Sequence, residues 1–269
     1  MEPAPTVPAA EAVPAIPGAN VVTYVATDFG FEGPARIPAG LTTLRLINHG
    51  AELHHLMIVR LPAGKTSADY VKAMSGRGPE ASLPEWAAPE GGPNAIVPGE
   101  ESNATALLEP GTYAFTCWIP SPDGVIHGTK GMTTTVEVTP TSAKAAPPEP
   151  EGDIEVELVD YTFQVTGRVA PGPHVLAIEN EGTEPHELSL WRLAPGKSLA
   201  DLVAWTEAGM AGEPPGKPIG GVAPMKPGDR ELFGVNLEPG EYALLCFVPD
   251  DEDGKPHIQH GMAKQFTVG

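Results

Sequence analysis

Cysteine is nearly missing from this chain: two occur in 269 residues, Cys117 and Cys246. A disulfide-stapled scaffold is excluded, because at most one bridge could form. Basic residues are also scarce. The chain has 16 Lys and Arg against 35 Asp and Glu, a formal charge of −19. That balance argues against nucleic-acid binding, which needs clustered cations to neutralise phosphate. The acidity either steers a basic partner or keeps the chain soluble. No apolar run approaches the ~18 residues of a membrane-spanning helix. Aromatics make up only 6 %, and no long apolar helical pattern dominates, while Gly and Pro number 31 and 32. Such a composition points to an all-β chain with many turns.

The opening MEPAPTVPAAEAVPAIPG has neither the basic nor the apolar region of a secretion signal. Residues 1–19 read as a Pro/Ala-rich tether, of the kind left once a signal is removed and a new Met added. A periplasmic or exported location is the corresponding expectation.

The chain is written twice. DFGFEGPARIPAGLTTLRLINHGAELHHLMIVRLPAGK recurs as DYTFQVTGRVAPGPHVLAIENEGTEPHELSLWRLAPGK, at a constant offset of 132 residues. Asp28, Asn48, Gly50 and His54 return as Asp160, Asn180, Gly182 and His186. After a middle section of unequal length, LEPGTYAFTCWIP matches LEPGEYALLCFVP, and HGTKGM matches HIQHGM. A repeat this long is a duplicated domain, not a solenoid unit. The expected layout is a first domain over 20–139, a Pro/Ala/acidic linker over 140–152 and a second domain over 153–269. Each is about the size of a small β-sandwich, on the order of 100 residues.

Within each unit, short alternating runs bounded by turn residues predict strands. Thr66 and Ser198 are each followed three residues later by Asp69 and Asp201, a capping-box pattern that predicts one short helix per unit. No chemistry is expected of these helices.

Duplication also singles out the polar residues that keep their place. His54 and His186 follow Asn-x-Gly at the start of a strand, and Cys117 and Cys246 end the strand opened by Pro-Gly-x-Tyr. His127 and His257 lie ten and eleven residues further on, and Met132 and Met262 five beyond those. Two imidazoles, a thiolate and a weak axial thioether form the donor set of a blue-copper site. Taken singly, the same residues could be a buried thiol, a loop histidine and a core methionine. A disulfide between the cysteines would tie together two equivalent positions of separate domains.

The constellation resembles the cupredoxin, or type 1 blue copper, family. The carriers of the likeness are the His after Asn-x-Gly, the Gly-x-Tyr-x-Phe-x-Cys strand and the His-x4-Met loop, and they span nearly all of both units. The resemblance implies two tandem Greek-key cupredoxin-like β-sandwiches, each with a short inserted helix and a copper beneath one end. It implies His54, Cys117, His127 and Met132 as ligands of one copper, and His186, Cys246, His257 and Met262 as ligands of a second. His127 and His257 would be the electron exits. Many members carry Asn after the first ligand His; here His55 and Glu187 stand there, which puts the tuning of the sites in question.

The other polar residues carry less weight. His49 and His174 have no counterpart and are expected at the surface. His55, next to His54 on a strand, is expected to face the other way. His260 could compete with His257 by spacing. Asp250, Asp251, Glu252 and Asp253 suggest a solvated acidic rim. Asn103-Ala104-Thr105 matches a glycosylation sequon, a frequent chance match.

Two-domain relatives of this architecture include nitrite reductases and small laccases, which add His beside the ligand Cys and His-x-His pairs. Cys117 sits between Thr116 and Trp118, Cys246 between Leu245 and Phe247, and no His-x-His occurs. The expectation is therefore an electron carrier and not an enzyme. It would bind two coppers and exchange electrons with a redox partner protein that presents a basic docking face. Copper storage or delivery, and an interaction module with empty sites, remain the alternatives.

Overall fold

Ile154, Val156 and Leu158 are buried, while Glu155 and Glu157 between them are exposed. This is the period-two pattern of a strand with one face in a core. In the computed structural model, which describes residues 14–78, 83–141 and 151–269, the pattern recurs in both halves and builds two β-sandwiches in tandem. Part of the expected tether (1–13) and most of the expected linker (142–150) lie outside the described residues.

One eight-stranded sheet runs through both halves. Its order is Thr162–Gly167, Ile154–Val159, Gly172–Asn180, Arg230–Leu237, Glu101–Leu108, Gly40–Asn48, Asn20–Thr27 and Gly30–Glu32. A five-stranded sheet containing Met57–Leu61 and Gly111–Thr116 closes the first sandwich. A four-stranded sheet containing His186–Leu193 and Gly240–Leu245 closes the second. The first core includes Tyr24, Leu46, Ile58, Phe115 and Val136; the second includes Leu158, Ile178, Leu190, Phe233 and Leu244. Each fully buried side chain of this kind contributes roughly 1.5–3 kcal/mol.

Both short helices are present, α1 over Ser67–Met74 and α2 over Leu199–Glu207. Each begins with the reciprocal capping pair, Thr66 with Asp69 and Ser198 with Asp201. Tyr70 and Met74 anchor the first, Leu202 and Thr206 the second.

The two halves meet along backbone. Leu232 pairs with Thr105, and Asn103 exchanges two hydrogen bonds with the Gly234 backbone at 2.8 and 3.0 Å. Further along, Glu90, Pro93 and Ile96 bridge Met225, Val222 and Ile219. Ile16, within the expected tether, is buried among Leu41 of the first half and Ala177 and Leu232 of the second. Among the described residues, no helix is long and apolar enough to cross a membrane.

Candidate metal centres

The Asn-x-Gly-x-x-x-His signature works as a small brace. Asn48 donates to the carbonyls of Glu52 and Ile96 at 2.9 and 3.0 Å and accepts from Gly50 N at 2.9 Å. Asn180 does the same with Glu184, Met225 and Gly182. The glycine is required by space: a Cβ on Gly50 would meet Asp28 Oδ1 at 2.4 Å and His54 Nε2 at 2.5 Å, and Gly182 stands in the same relation to Asp160 and His186. His186 opens its strand. His54 lies just ahead of Met57–Leu61 and is fixed by a bridge to Ile96.

The cysteine strand is anchored by its tyrosine, whose hydroxyl donates to a carbonyl four residues back, Tyr113 to Glu109 and Tyr242 to Glu238, each at 2.9 Å. Beyond Cys117 the loop folds back on itself. His127 N donates to Ile119 O, Gly128 N to Cys117 O, Met132 N to His127 O, and Cys117 N to Met132 O, all between 2.8 and 3.1 Å. Cys246, His257 and Met262 repeat the arrangement. Gly131 at φ 122° and Gly261 at φ 100° end the single helical turn of each loop. Side chains with a Cβ are strained in that conformation, which explains the Gly-Met pair in both repeats.

These elements bring three donors together in each half. Nδ1 of His54 and His127 are 3.1 Å apart, and Cys117 Sγ lies 3.9 and 3.4 Å from them. In the second half His186 Nδ1 and His257 Nδ1 are 2.9 Å apart, with Cys246 Sγ at 4.0 and 3.4 Å. All six residues are fully buried, as are Met132 and Met262. Both cysteines are free thiols.

Four carboxylates hold the outward ring nitrogens. His54 Nε2 meets Asp28 at 2.6 Å and His127 Nε2 meets Glu52 at 3.0 Å. His186 meets Asp160 at 2.8 Å and His257 meets Glu184 at 3.2 Å. A carboxylate on Nε2 favours a proton there and turns the Nδ1 lone pair inward, as in carboxylate–histidine–metal triads. Burial pushes the Cys117 thiol up to about 12 and the Cys246 thiol higher still. Burial also lowers His127 and His257. A neutral imidazole pair beside a thiol that resists ionisation is suited to a cation, which would stabilise the thiolate. Two nitrogens and one sulfur, with a thioether on the same loop, fit copper.

Several sequence-based expectations change. His127 and His257, the expected electron exits, are fully buried. His127 is covered by Glu52 and by Phe29, whose ring centroid is 4.9 Å away, and His257 by Glu184 and Tyr161. His174 is buried, bound to Asp153 at 2.5 Å and to Ala170 O at 2.7 Å; its match in the first half, Thr42, is buried too. Asp250 is no part of a solvated rim. It is buried and accepts from Tyr161 Oη, Glu252 N and Asp253 N, so it organises its loop. His260 is exposed and pairs with Asp253, outside the cluster of His186, Cys246 and His257. Asn103 is buried between the two halves, unavailable as a glycosylation acceptor in the folded chain. His55 and Glu187 are buried as well, and each accepts from the backbone N after the cysteine, Trp118 at 2.6 Å and Phe247 at 2.8 Å.

The carboxylates were the functional residues that sequence reasoning passed over. Asp28 and Asp160 are a matched pair in the sequence but carry no role there. Glu52 and Glu184 match at the same offset of 132 residues, and that recurrence was the available signal.

No family model matches this chain, and no curated protein matches it. Among solved structures it is similar to the reduced auracyanin of Roseiflexus castenholzii at 23 % identity and a TM-score of 0.32, over 46 % of this chain and 100 % of that one. It is also similar to a blue copper oxidase from Nitrosomonas europaea at 16 % identity and a TM-score of 0.26, over 93 % of this chain and 85 % of that one. A multicopper oxidase aligns at 13 % identity and a TM-score of 0.27, over 96 % of this chain and 93 % of that one. Cupredoxins and copper oxidases are among its solved neighbours. Two of these neighbours are oxidases, against the expectation that the chain is not an enzyme. That expectation rested on the lack of a His beside either cysteine and of any His-x-His, which bears on one way of building a second kind of copper site and not on turnover at the sites present.

Proposed function

We propose that this chain binds one copper ion in each half and passes single electrons through them. His54, Cys117, His127 and Met132 hold the first, and His186, Cys246, His257 and Met262 the second. The observation that carries the reading is the convergence, twice over, of two carboxylate-backed imidazoles on one buried thiol.

Copper bound there supplies one-electron exchange between two oxidation states with different ligand preferences. The chain's part is to keep the donors still. Asp28 and Asp160 lock the first imidazole of each site, Glu52 and Glu184 lock the second, and the backbone bonds around Cys117 and Cys246 fix the sulfur. Burial of all the donors keeps water away from the thiolate. Little needs to move when an electron arrives or leaves.

The charge of −19 supports a redox partner with a basic docking face, and a periplasmic or exported location accords with a copper carrier. Spectroelectrochemical cycling of the copper-loaded protein tests the function. A carrier returns to its starting spectrum over many cycles with all its copper retained. Loss of metal on each reduction would favour storage or delivery instead. Oxygen consumption in step with oxidation of an electron donor would make these sites the working sites of an oxidase.

A further inference from the structure

The two sites share their donors and the carboxylates behind them but differ at the residue after the first histidine, and in the second half that residue reaches across the seam between the halves. The residue after the first histidine is His55 in the first half and Glu187 in the second, and both are buried. His55 accepts from Trp118 N within its own half. Glu187 Oε1 accepts from Phe247 N at 2.8 Å, while its Oε2 accepts from Asn94 Nδ2 of the first half at 2.9 Å.

Asn94 is itself fixed. It is 2 % exposed, its amide also donates to the carbonyls of Val222 and Leu188 at 3.0 and 3.2 Å, and its Oδ1 accepts from Ala95 N. The segment that carries it belongs to the first site, since Ile96 exchanges backbone hydrogen bonds with His54 at 3.0 and 3.3 Å. The equivalent position in the second half follows from the braces: Asn48 bonds Ile96 O as Asn180 bonds Met225 O, so Asn94 corresponds to Ala223. Alanine has no side-chain donor to offer in return.

We infer that Asn94 is a positioning residue for the second metal site: from the first half it holds Glu187, which holds Phe247 and with it the adjoining Cys246. The second site is completed across the seam, and the two coppers are thereby made unequal. Hydrogen bonds at Ile96 and at Glu187 join the chain segments of His54 and His186. The inference rests on the copper reading above.

The test uses chains with one cysteine each. Cys117→Ser leaves the second site alone and Cys246→Ser leaves the first, and Asn94→Ala is added to each. The thiolate-to-copper band and the reduction potential are then measured. Asn94→Ala is expected to move the potential of the second site by an amount equal to a tenfold change in its oxidised-to-reduced ratio, 59 mV for one electron, and to leave the first site in place. In a chain that also carries Glu187→Ala, removing Asn94 is expected to have little further effect, because the two act as one unit. An unmoved second site, an equal shift at both sites, or the same shift with and without the Glu187 carboxylate would each overturn the inference. A thiolate-to-copper band in neither single-cysteine chain, before Asn94 is touched, would remove the copper reading and this inference with it. Should Asn94→Ala not fold, the isosteric Asn94→Asp is judged by the same three comparisons.

Discussion

Nδ1 of His54 faces Nδ1 of His127 at 3.1 Å, while the far nitrogen of each ring is held by a carboxylate. With the protons on the outward nitrogens, two lone pairs converge on one point beside the Cys117 thiol. Such an approach is unfavourable unless a proton or a metal ion is shared between them. The second half repeats it at 2.9 Å.

The outward carboxylates therefore set metal affinity. Asp28→Asn is expected to weaken copper binding at the first site about 10- to 100-fold, the usual cost of losing such a partner, and Asp160→Asn the same at the second. Competition titrations against a chelator in single-cysteine chains measure this. Unchanged affinity would mean that the carboxylates do not orient the rings.

Gly50→Ala tests the same contact sterically. Its Cβ would meet Asp28 Oδ1 and His54 Nε2 at 2.4 and 2.5 Å, below any ordinary contact distance. Copper affinity at the first site should fall at least as far as in Asp28→Asn, with the second site untouched. Full occupancy of the first site in this variant would show that the imidazole can be held without Asp28.

The sandwich fold and the inner donors could be read in the sequence because duplication separates retained positions from drifting ones. Strand alternation, the Thr66 and Ser198 caps and the His…Cys…His…Met order are local signals. The carboxylates were harder, because Asp28 reaches His54 only after two strands pair in parallel, and acidic residues are common in so acidic a chain. His174 and Asp250 read as surface groups in the sequence because their hydrogen-bond partners, Asp153 and Tyr161, are 21 and 89 residues away. Asn94 lies in the section where the repeats do not align, so nothing in the sequence connected it with Glu187.

Metal binding should displace the thiol proton. Burial pushes Cys117 up to about 12, so below that pH the thiolate fraction falls tenfold for each unit of acidification. Apparent copper affinity at the first site is therefore expected to rise with pH between 6 and 8 by about tenfold per unit for this proton alone. Affinity independent of pH over that range would rule out thiolate ligation.

Stability carries a separate pH signature at the seam. Burial, together with Asp229 and Glu90, raises the Glu231 carboxyl from 4.5 to about 8. A carboxyl raised in the folded state contributes stability that is complete below pH 4.5 and is lost as pH climbs through about 8. Glu231→Gln cannot titrate, so its thermal midpoint should gain on wild type across that window, by about 2–4 °C for each kcal/mol. Parallel midpoint curves would show that Glu231 ionises as freely in the folded chain as in the unfolded one.

The most direct test of the copper assignment is a visible spectrum recorded during Cu(II) titration of wild type, Cys117→Ser and Cys246→Ser. Two such copper sites require an intense thiolate-to-copper band that saturates at two equivalents in wild type and at one in each variant. Absence of that band, or its full survival in either variant, would contradict the assignment.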